Sequence, residues 1–213
     1  MPLPSSPRDA HDDGPFRILV VCTGNVCRSP LTAAVLRTRL GADAPVAVAS
    51  AGLQALEGEP VDPAVATEAA RLGVDVDEHR ARAFALDEAV ASDLVVLATR
   101  RQRAVVVELA PAIARRTFTL LELDATLAHL DADDVVVDPA LGARARLAQV
   151  VRAAARARGP ASRGLAIDLP DPYRGSAELH RGVADLVAAA SARVAERLLA
   201  LAGVAPTHVA ETS

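Results

Sequence analysis

Aromatic residues and lysine are scarce in this sequence of 213 residues. Aromatic side chains make up 2% of the chain, so it has few of the stacking surfaces on which proteins hold single-stranded nucleic acids. The formal net charge is −4, and no broad positive field attracts nucleic acid either. All 23 basic residues are arginines, which makes arginine abundance weak evidence for a phosphate site. The sequence therefore predicts no nucleic-acid partner.

Cysteine is equally scarce, since the chain contains only Cys22 and Cys27, both in one short stretch. Two neighbouring cysteines cannot form the disulfide framework of a small secreted domain. No run approaches about 18 uninterrupted apolar residues, so no membrane span is expected. Residues 1–14 also lack the apolar core of a secretory signal. A reactive thiol suits a reducing compartment, and we predict a cytoplasmic location without a membrane partner.

Short apolar runs alternate with helical patterns along most of the chain. Four strands are predicted, at residues 16–21, 46–52, 93–98 and 117–120. Helices are predicted at residues 31–40, 62–72, 100–109, 121–130 and 177–201, with a short one from Leu86. This alternation predicts a single α/β domain, in which a four-stranded parallel sheet has helices on both faces in a doubly wound, flavodoxin-like or Rossmann-like arrangement. The domain is expected to span 16–203, between a disordered lead-in at 1–15 and a flexible tail at 204–213.

The segment that joins the first strand to the first helix, residues 22–30, reads Cys-Thr-Gly-Asn-Val-Cys-Arg-Ser-Pro. Unpaired N–H groups and the helix dipole make such a loop a natural anion site. Cys22 lies beside a helix N-terminus and a guanidinium, so it is expected to be largely thiolate near neutrality. Arg28 offers a planar fork that matches two phosphoryl oxygens. Gly24 is expected to make a tight bend, and Asn25 to take a left-handed or side-chain-bonded conformation.

This loop, together with Asp171-Pro172-Tyr173 far downstream, resembles the low-molecular-weight protein tyrosine phosphatases. Ser50-Ala51-Gly52 and the stretch His79-Arg80-Ala81-Arg82 also resemble landmarks of that family. An Asp-Pro pair alone is more often a turn than a catalytic acid, and only its pairing with Cys22 reverses that reading. The resemblance covers most of two segments, 16–121 and 168–201.

The resemblance implies a role in catalysis for three residues. The Cys22 thiolate attacks phosphorus and forms a phosphocysteine, while Arg28 and the loop amides hold the equatorial oxygens. Asp171 donates a proton to the leaving phenolate and then accepts one from the water that hydrolyses the intermediate. The implied phosphate-binding residues are Thr23, Gly24, Asn25, Val26, Cys27, Arg28 and Ser29. No metal or other cofactor is implied, because the loop itself supplies the positive potential.

The resemblance also implies that polar neighbours support the loop. Ser29 lies near the sulfur and stabilises the thiolate, and Asn25, with Ser50 and His79, keeps the loop in shape. Cys27 has two open interpretations: it either forms a disulfide with Cys22 that protects the nucleophile from over-oxidation, or it only packs.

Leu53 and Tyr173 are expected to line the substrate cleft. Residues 53–56 contain no aromatic residue, whereas many relatives carry one there, and Tyr173 is the only tyrosine in the chain. Residues 131–164 form an insertion that is longer than the family's usual connection to the Asp171 loop. An Ala- and Arg-rich part of it, 143–158, predicts a solvated helix, with disorder as the alternative. The insertion as a whole is expected either to shade the active site or to bind a partner.

The predicted function is a cytoplasmic phosphatase that hydrolyses phosphotyrosine in proteins. A phosphorylated protein is the expected substrate, a bacterial tyrosine kinase is a candidate partner, and phosphate or vanadate should inhibit. Three alternatives stay open: a protein-arginine phosphatase, an arsenate reductase that uses a small-molecule thiol, and a phosphate-binding module without catalysis. Arginine phosphatases tend to carry Thr at the position of Val26, whose apolar side chain fits a phenolic ester better, and thioredoxin-linked reductases need cysteines beyond Cys27.

Overall fold

The computed structural model of the chain describes residues 14–159 and 164–205. Most of the predicted lead-in (1–13) and most of the predicted tail (206–213) lie outside the described residues, as do residues 160–163 of the predicted insertion. None of the helices in the two described ranges combines the length and the hydrophobicity needed to cross a membrane.

The centre of the fold is a sheet of four parallel strands in the order β2-β1-β3-β4. The strands are β1 (Phe16–Cys22), β2 (Val46–Gly52), β3 (Leu94–Leu97) and β4 (Thr117–Thr119). Within the described residues, seven α-helices connect or flank them: α1 (Arg28–Leu40), α2 (Pro63–Arg71), α3 (Leu86–Ala91), α4 (Arg100–Leu109), α5 (Leu120–Ala128), α6 (Ala143–Ala157) and α7 (Ala177–Ala202). The same part of the chain contains two 3₁₀ helices that were not predicted, Pro111–Arg116 and Ala132–Asp134.

Both faces of the sheet are covered, because the side chains of β1 alternate between two cores. Ile18 and Val20 pack in the core that includes α1, α5 and α7, while Leu19 and Val21 pack against α3 and α4. Burying each such side chain contributes about 1.5–3 kcal/mol relative to leaving it exposed. The predicted doubly wound fold, with helices on both faces, is confirmed.

The strand order places a topological switch point between β1 and β3. The chain leaves β1 toward β2 on one side and leaves β3 toward β4 on the other, so a crevice opens at the carboxyl ends of these two neighbouring strands. The loop after β1 and the N-terminus of α4 both lie at this edge. Thr99 caps the N-terminus of α4 there with a capping box, in which the Thr99 hydroxyl accepts from the Gln102 N–H and the Gln102 side chain accepts from the Thr99 N–H.

A helix does form over most of the predicted range 143–158, but the prediction that it is solvated is wrong, because one face of it is buried. Five residues of α6 are buried in the larger core: Leu147, Val150, Val151, Ala153 and Ala154. Arg144 of α6 pairs at 3.0 Å with Asp93, the residue before β3, and Arg158 stacks at 3.8 Å on Phe118 of β4. The helix α6 therefore packs against the sheet.

Candidate active site

The loop between β1 and α1, residues 22–27, turns its carbonyl groups outward and its N–H groups inward. Backbone N–H groups of the segment 53–62 donate to four carbonyl oxygens of the loop: Leu53 to Cys22 at 3.0 Å, Gln54 to Thr23 at 2.9 Å, Leu56 to Gly24 at 3.0 Å and Asp62 to Val26 at 2.9 Å. Within the described residues, the N–H groups of 23–27 donate to no acceptor. Helix α1 begins without a side-chain cap, so its dipole adds to this inward field. The result is a concave, anion-binding nest.

Asn25 holds the loop in this shape. Its φ is 57°, a left-handed conformation that non-glycine residues rarely adopt, and its side chain is fully buried. The amide nitrogen Nδ2 donates to the hydroxyls of Ser29 at 2.9 Å and Ser50 at 3.0 Å, and Oδ1 accepts the backbone N–H of Arg82 at 2.9 Å. The predicted left-handed, side-chain-bonded conformation of Asn25 is thus observed.

Gly24 lies in a bend, as predicted, but the bend does not require a glycine at this position. Its φ is not in the positive region, and a Cβ placed on it would meet only ordinary contacts, 3.6 Å from the Val26 side chain. The glycine that the loop requires is Gly52 at the end of β2, where a Cβ would lie 2.6 Å from the carbonyl oxygen of Thr23. That close approach lets the loop rest directly on the neighbouring strand.

His79 supports the loop from outside, at the backbone of Asn25. Its Nε2 lies 2.7 Å from the Asn25 carbonyl oxygen. Because a carbonyl only accepts, Nε2 carries the proton and donates it. Burial lowers the pKa of His79 from its ordinary value of 6.5, and three nearby arginines lower it further, against the raising effect of the Asn25 carbonyl. The neutral ring is therefore the form that supports the loop.

Cys22 ends β1 with its sulfur at the floor of the nest. The Sγ lies 3.0 Å from the hydroxyl oxygen of Ser29. That oxygen already accepts from Asn25, so its own hydrogen is free to point to the sulfur, with the Ala51 carbonyl at 3.4 Å as a weaker alternative. The structure thus brings the predicted nucleophile and the predicted thiolate-stabilising hydroxyl into contact.

Arg28 and Asp171, which are distant in the sequence, meet in the cavity that Cys22 also lines. Arg28 is buried, and its Nη2 forms a 2.9 Å ion pair with Asp171, whose side chain is 57% exposed. The Leu169 carbonyl lies 3.5 Å from Nη1, while the buried Nε of Arg28 has no hydrogen-bond partner. A buried guanidinium N–H without an acceptor beside a nest of free amides fits a tetrahedral oxyanion.

A cavity of about 230 Å³, which we call the phosphate cavity, opens over the loop. It is lined by Cys22, Thr23, Gly24, Val26, Cys27, Arg28, Gln54, Leu56, Asp171 and Tyr173. The cavity thus collects the three predicted catalytic residues and the predicted cleft residue Tyr173. Leu53, which was also predicted in the cleft, lines an adjoining cavity instead, and Leu56 lies over the loop.

Cys27 also lines the phosphate cavity, and its thiol is buried. Burial is the largest of the effects that raise the pKa of Cys27, from an ordinary value of 9.0 to about 12. The charges of Asp62, Cys22 and Asp171 raise it further, and Arg28 opposes them. Cys27 is therefore a neutral thiol at physiological pH.

Sequence reasoning missed Gln102 and His180. Gln102 donates from Nε2 to the Thr23 hydroxyl at 3.0 Å and so ties α4 to the loop, a contact that only the fold creates. His180 is buried below the loop in a small cavity shared with Cys27, Arg28 and Pro172, and its Nδ1 has no partner among the described residues. Gln102 belongs to the Thr99 capping box, which indicates a helix start and not a contact with the loop, and His180 belongs to no recognisable motif, so the sequence contained no signal for these two roles.

Comparisons with known proteins agree with this geometry. The sequence profile of the family described as low molecular weight phosphotyrosine protein phosphatase matches residues 17–158. A probable low molecular weight protein-tyrosine-phosphatase, EpsP of Ralstonia nicotianae, is 38% identical over 107 residues, which cover 50% of this chain and 72% of EpsP.

Two solved structures of bacterial phosphatases are also similar. The YwlE arginine phosphatase of Geobacillus stearothermophilus superposes with a TM-score of 0.64 and 26% identity, covering 87% of this chain and 94% of YwlE. The tyrosine phosphatase Wzb of Escherichia coli K30, solved in complex with sulphate, gives a TM-score of 0.61 and 26% identity, covering 86% of this chain and 98% of Wzb.

Proposed function

Because this chain belongs to the low molecular weight protein-tyrosine-phosphatase family, and is thus a phosphatase, we propose that it hydrolyses phosphotyrosine in proteins through a phosphocysteine intermediate. The observation that supports this mechanism best is the placement of the Cys22 sulfur at the floor of a nest of free amides, beside the buried guanidinium of Arg28.

In the first step, the Cys22 thiolate attacks phosphorus in line with the phenolic oxygen. The S–P bond forms as the P–O bond to tyrosine breaks, and Asp171 gives its proton to the leaving oxygen. The loop amides and Arg28 hold the three equatorial oxygens, where charge spreads in the transition state. Ser29, held by Asn25, donates to the sulfur and stabilises its negative charge.

In the second step, water attacks the phosphocysteine. Asp171 takes a proton from that water, the S–P bond breaks, and phosphate leaves with the Cys22 thiolate regenerated. The ion pair with Arg28 keeps the Asp171 carboxylate at the mouth of the nest, in the form that the second step needs. The first step needs the protonated carboxyl group, which Asp171 can become once the phosphoryl group has replaced it at Arg28. A phosphoryl group that enters the nest takes over the Arg28 fork and leaves Asp171 beside the scissile oxygen.

Phosphoarginine is the second candidate substrate, since the chain superposes on an arginine phosphatase as well as on tyrosine phosphatases. Val26 favours tyrosine, because it lines the phosphate cavity with an apolar side chain that offers a guanidinium no acceptor. A panel of phosphotyrosine, phosphoarginine and phosphoserine peptides decides between them. We expect the highest kcat/KM on phosphotyrosine, and a large preference for phosphoarginine would overturn this choice.

Two substitutions test the chemistry. Cys22→Ser should abolish hydrolysis of p-nitrophenyl phosphate while phosphate and vanadate still bind. Asp171→Asn should lower kcat on phosphotyrosine by about 10²- to 10⁴-fold, as expected for a missing general acid. The loss should be smaller on p-nitrophenyl phosphate, whose leaving group needs less help from a proton. Equal activity of Asp171→Asn and the parent on phosphotyrosine would remove Asp171 from the mechanism.

The proposed chemistry also indicates where the protein works and on what. A thiolate nucleophile requires a compartment that keeps cysteines reduced, and we place the protein in the cytoplasm. Its substrate would be a phosphorylated protein, and a bacterial tyrosine kinase that carries phosphotyrosine is a candidate partner. Phosphate and vanadate should inhibit, since both are tetrahedral or trigonal oxyanions that fit the nest.

A further inference from the structure

A second cavity of about 530 Å³ adjoins the phosphate cavity. It lies between α4 and the segments 53–54 and 83–84, and we call it the α4 groove. The two cavities share four lining residues: Thr23, Arg28, Gln54 and Asp171. A substrate that places its phosphoryl group over Cys22 therefore has a continuous path into the α4 groove. None of the steps proposed for catalysis uses this groove.

One stripe of α4 lines the groove with a cation followed by two apolar side chains. Arg101, Val105 and Leu109 are spaced by four residues, so they lie on the same face of the helix. Val105 is 41% exposed and Leu109 is 55% exposed. Exposed apolar side chains that line a groove beside an active site indicate a binding surface. Phe84 and Leu53 extend the apolar lining on the opposite wall.

Arg101 is the free cation of the first turn of α4. Its neighbours are engaged, since Arg100 pairs with Asp168 and Arg103 donates to the Thr117 carbonyl at 2.7 Å. Arg101 forms no hydrogen bond or ion pair with any residue in the described ranges, and it is exposed. A cation in the first turn of a helix opposes the dipole, and the first turn of α4 contains no acidic residue to offset it. Helix stability therefore does not explain Arg101, whereas an anionic ligand does.

We infer that the α4 groove binds the segment of the protein substrate that flanks the phosphorylated residue, and that it selects an acidic side chain next to that residue and an apolar side chain further along. This inference rests on the proposed function. The distance from Arg101 to Leu109 along α4 is about 12 Å, which matches about four residues of an extended peptide. The carboxylate would pair with Arg101, and the apolar side chain would contact Val105 and Leu109.

The selection is local, because the protein as a whole carries a net charge of −4 and does not attract acidic peptides from a distance. Contacts with Arg101, Val105 and Leu109 should be the same before and in the transition state, since none of these three side chains takes part in the proposed chemistry. They should therefore lower KM and leave kcat nearly unchanged.

Two phosphotyrosine peptides of equal length test this inference. One carries Glu and Leu on both sides of the phosphotyrosine, and the other carries Lys and Ser at those positions. With the parent enzyme, we expect kcat/KM to be about tenfold higher for the Glu/Leu peptide, mainly through KM, given the usual strength of one exposed ion pair and one apolar contact. Arg101→Glu should reduce that preference to about twofold or less, and Leu109→Ser should reduce it by about threefold.

Arg152→Glu is the matched control, because it makes the same charge change on an exposed position of α6, away from the groove. It should retain the full preference. Equal kcat/KM for the two peptides with the parent enzyme, or the same preference in Arg101→Glu as in Arg152→Glu, would overturn the inference. Hydrolysis of p-nitrophenyl phosphate is measured alongside in the parent, where it should be present, and in Cys22→Ser, where it should be lost. If that hydrolysis is absent, the proposed function itself fails, whereas its presence without peptide selection refutes only the groove.

Discussion

Asn25→Ala removes the side chain that holds the phosphate-binding loop in place, and its cost follows from the contacts of Asn25. Three buried hydrogen bonds are lost, to Ser29, Ser50 and the N–H of Arg82, at about 1 kcal/mol each. Alanine must also adopt the φ of 57° without a local hydrogen bond to support it, which costs about 1–2 kcal/mol more. We therefore expect a loss of about 4–5 kcal/mol in the free energy of unfolding.

A loss of that size approaches the total stability of a typical domain, so a second variant is needed. Asn25→Gly loses the same hydrogen bonds but adopts a positive φ without strain. It should be more stable than Asn25→Ala by about 1 kcal/mol, yet it should still lose catalysis, because Ser29 would no longer be oriented toward Cys22. Arg174→Gly, at the other non-glycine residue of positive φ within the described ranges, relieves backbone strain without removing a buried hydrogen bond, although it also removes the stacking of Arg174 on the Tyr173 ring at 5.1 Å.

Urea unfolding gives the free energies, and steady-state hydrolysis of p-nitrophenyl phosphate gives kcat and KM. The reasoning predicts a lower kcat for both Asn25 variants and an order of stability in which the parent exceeds Asn25→Gly, which exceeds Asn25→Ala. It would be refuted by an Asn25→Ala protein that is within about 1 kcal/mol of the parent and equally active.

Three further predictions concern neighbours of the loop. Burial lowers the pKa of His79, so the unfolded chain binds a proton at this ring more readily than the folded protein does. The contribution of the neutral ring to stability is therefore present above pH 6.5 and is lost as the pH falls through the folded pKa. Urea unfolding across this range should show a fall in the free energy of unfolding that is smaller in His79→Gln than in the parent. Gly52→Ala forces a Cβ to within 2.6 Å of the Thr23 carbonyl oxygen, so it should lower the free energy of unfolding by about 1–3 kcal/mol and reduce kcat. A Cβ at Gly182 would have no neighbour within 4 Å, so Gly182→Ala should be neutral or stabilising in the same unfolding assay. If Cys27 protects Cys22 as a disulfide partner, the activity that reductant recovers after peroxide treatment should be higher in the parent than in Cys27→Ser. This recovery should increase with pH, because only the thiolate of Cys27, whose pKa is about 12, attacks oxidised Cys22. Equal recovery in the two proteins at all pH values would leave packing as the role of Cys27.

Much of the site could be predicted from the sequence, because its central part is contiguous. Cys22, Asn25 and Arg28 lie within seven consecutive positions between a strand and a helix, so their convergence needs only local geometry. Asp171 was predicted only through its resemblance to a family motif. Its 2.9 Å contact with Arg28 depends on how the segment before α7 returns to the sheet, which no local pattern indicates.

Features that depend on packing between distant segments were predicted less well. The burial of α6 did have a sequence signal, since Leu147, Val150, Val151 and Ala154 follow helical spacing, but the abundance of alanine and arginine obscured it. The need for glycine at position 52 arises from a carbonyl 29 positions earlier (52 minus 23), and the α4 groove arises from three separate segments. Such approaches are properties of the fold and leave no mark on the local sequence.

The most direct test of the central claim is the covalent intermediate itself. Asp171→Asn enzyme mixed with p-nitrophenyl phosphate, whose leaving group needs little help from a proton, and quenched within its first turnovers should yield a Cys22-containing peptide that is heavier by one phosphoryl group in mass spectrometry. The same peptide from Cys22→Ala should be unmodified. Release of p-nitrophenol and phosphate with no phosphoryl group found on Cys22 at any quench time, in a protein that turns over the substrate, would contradict the mechanism proposed for this phosphatase.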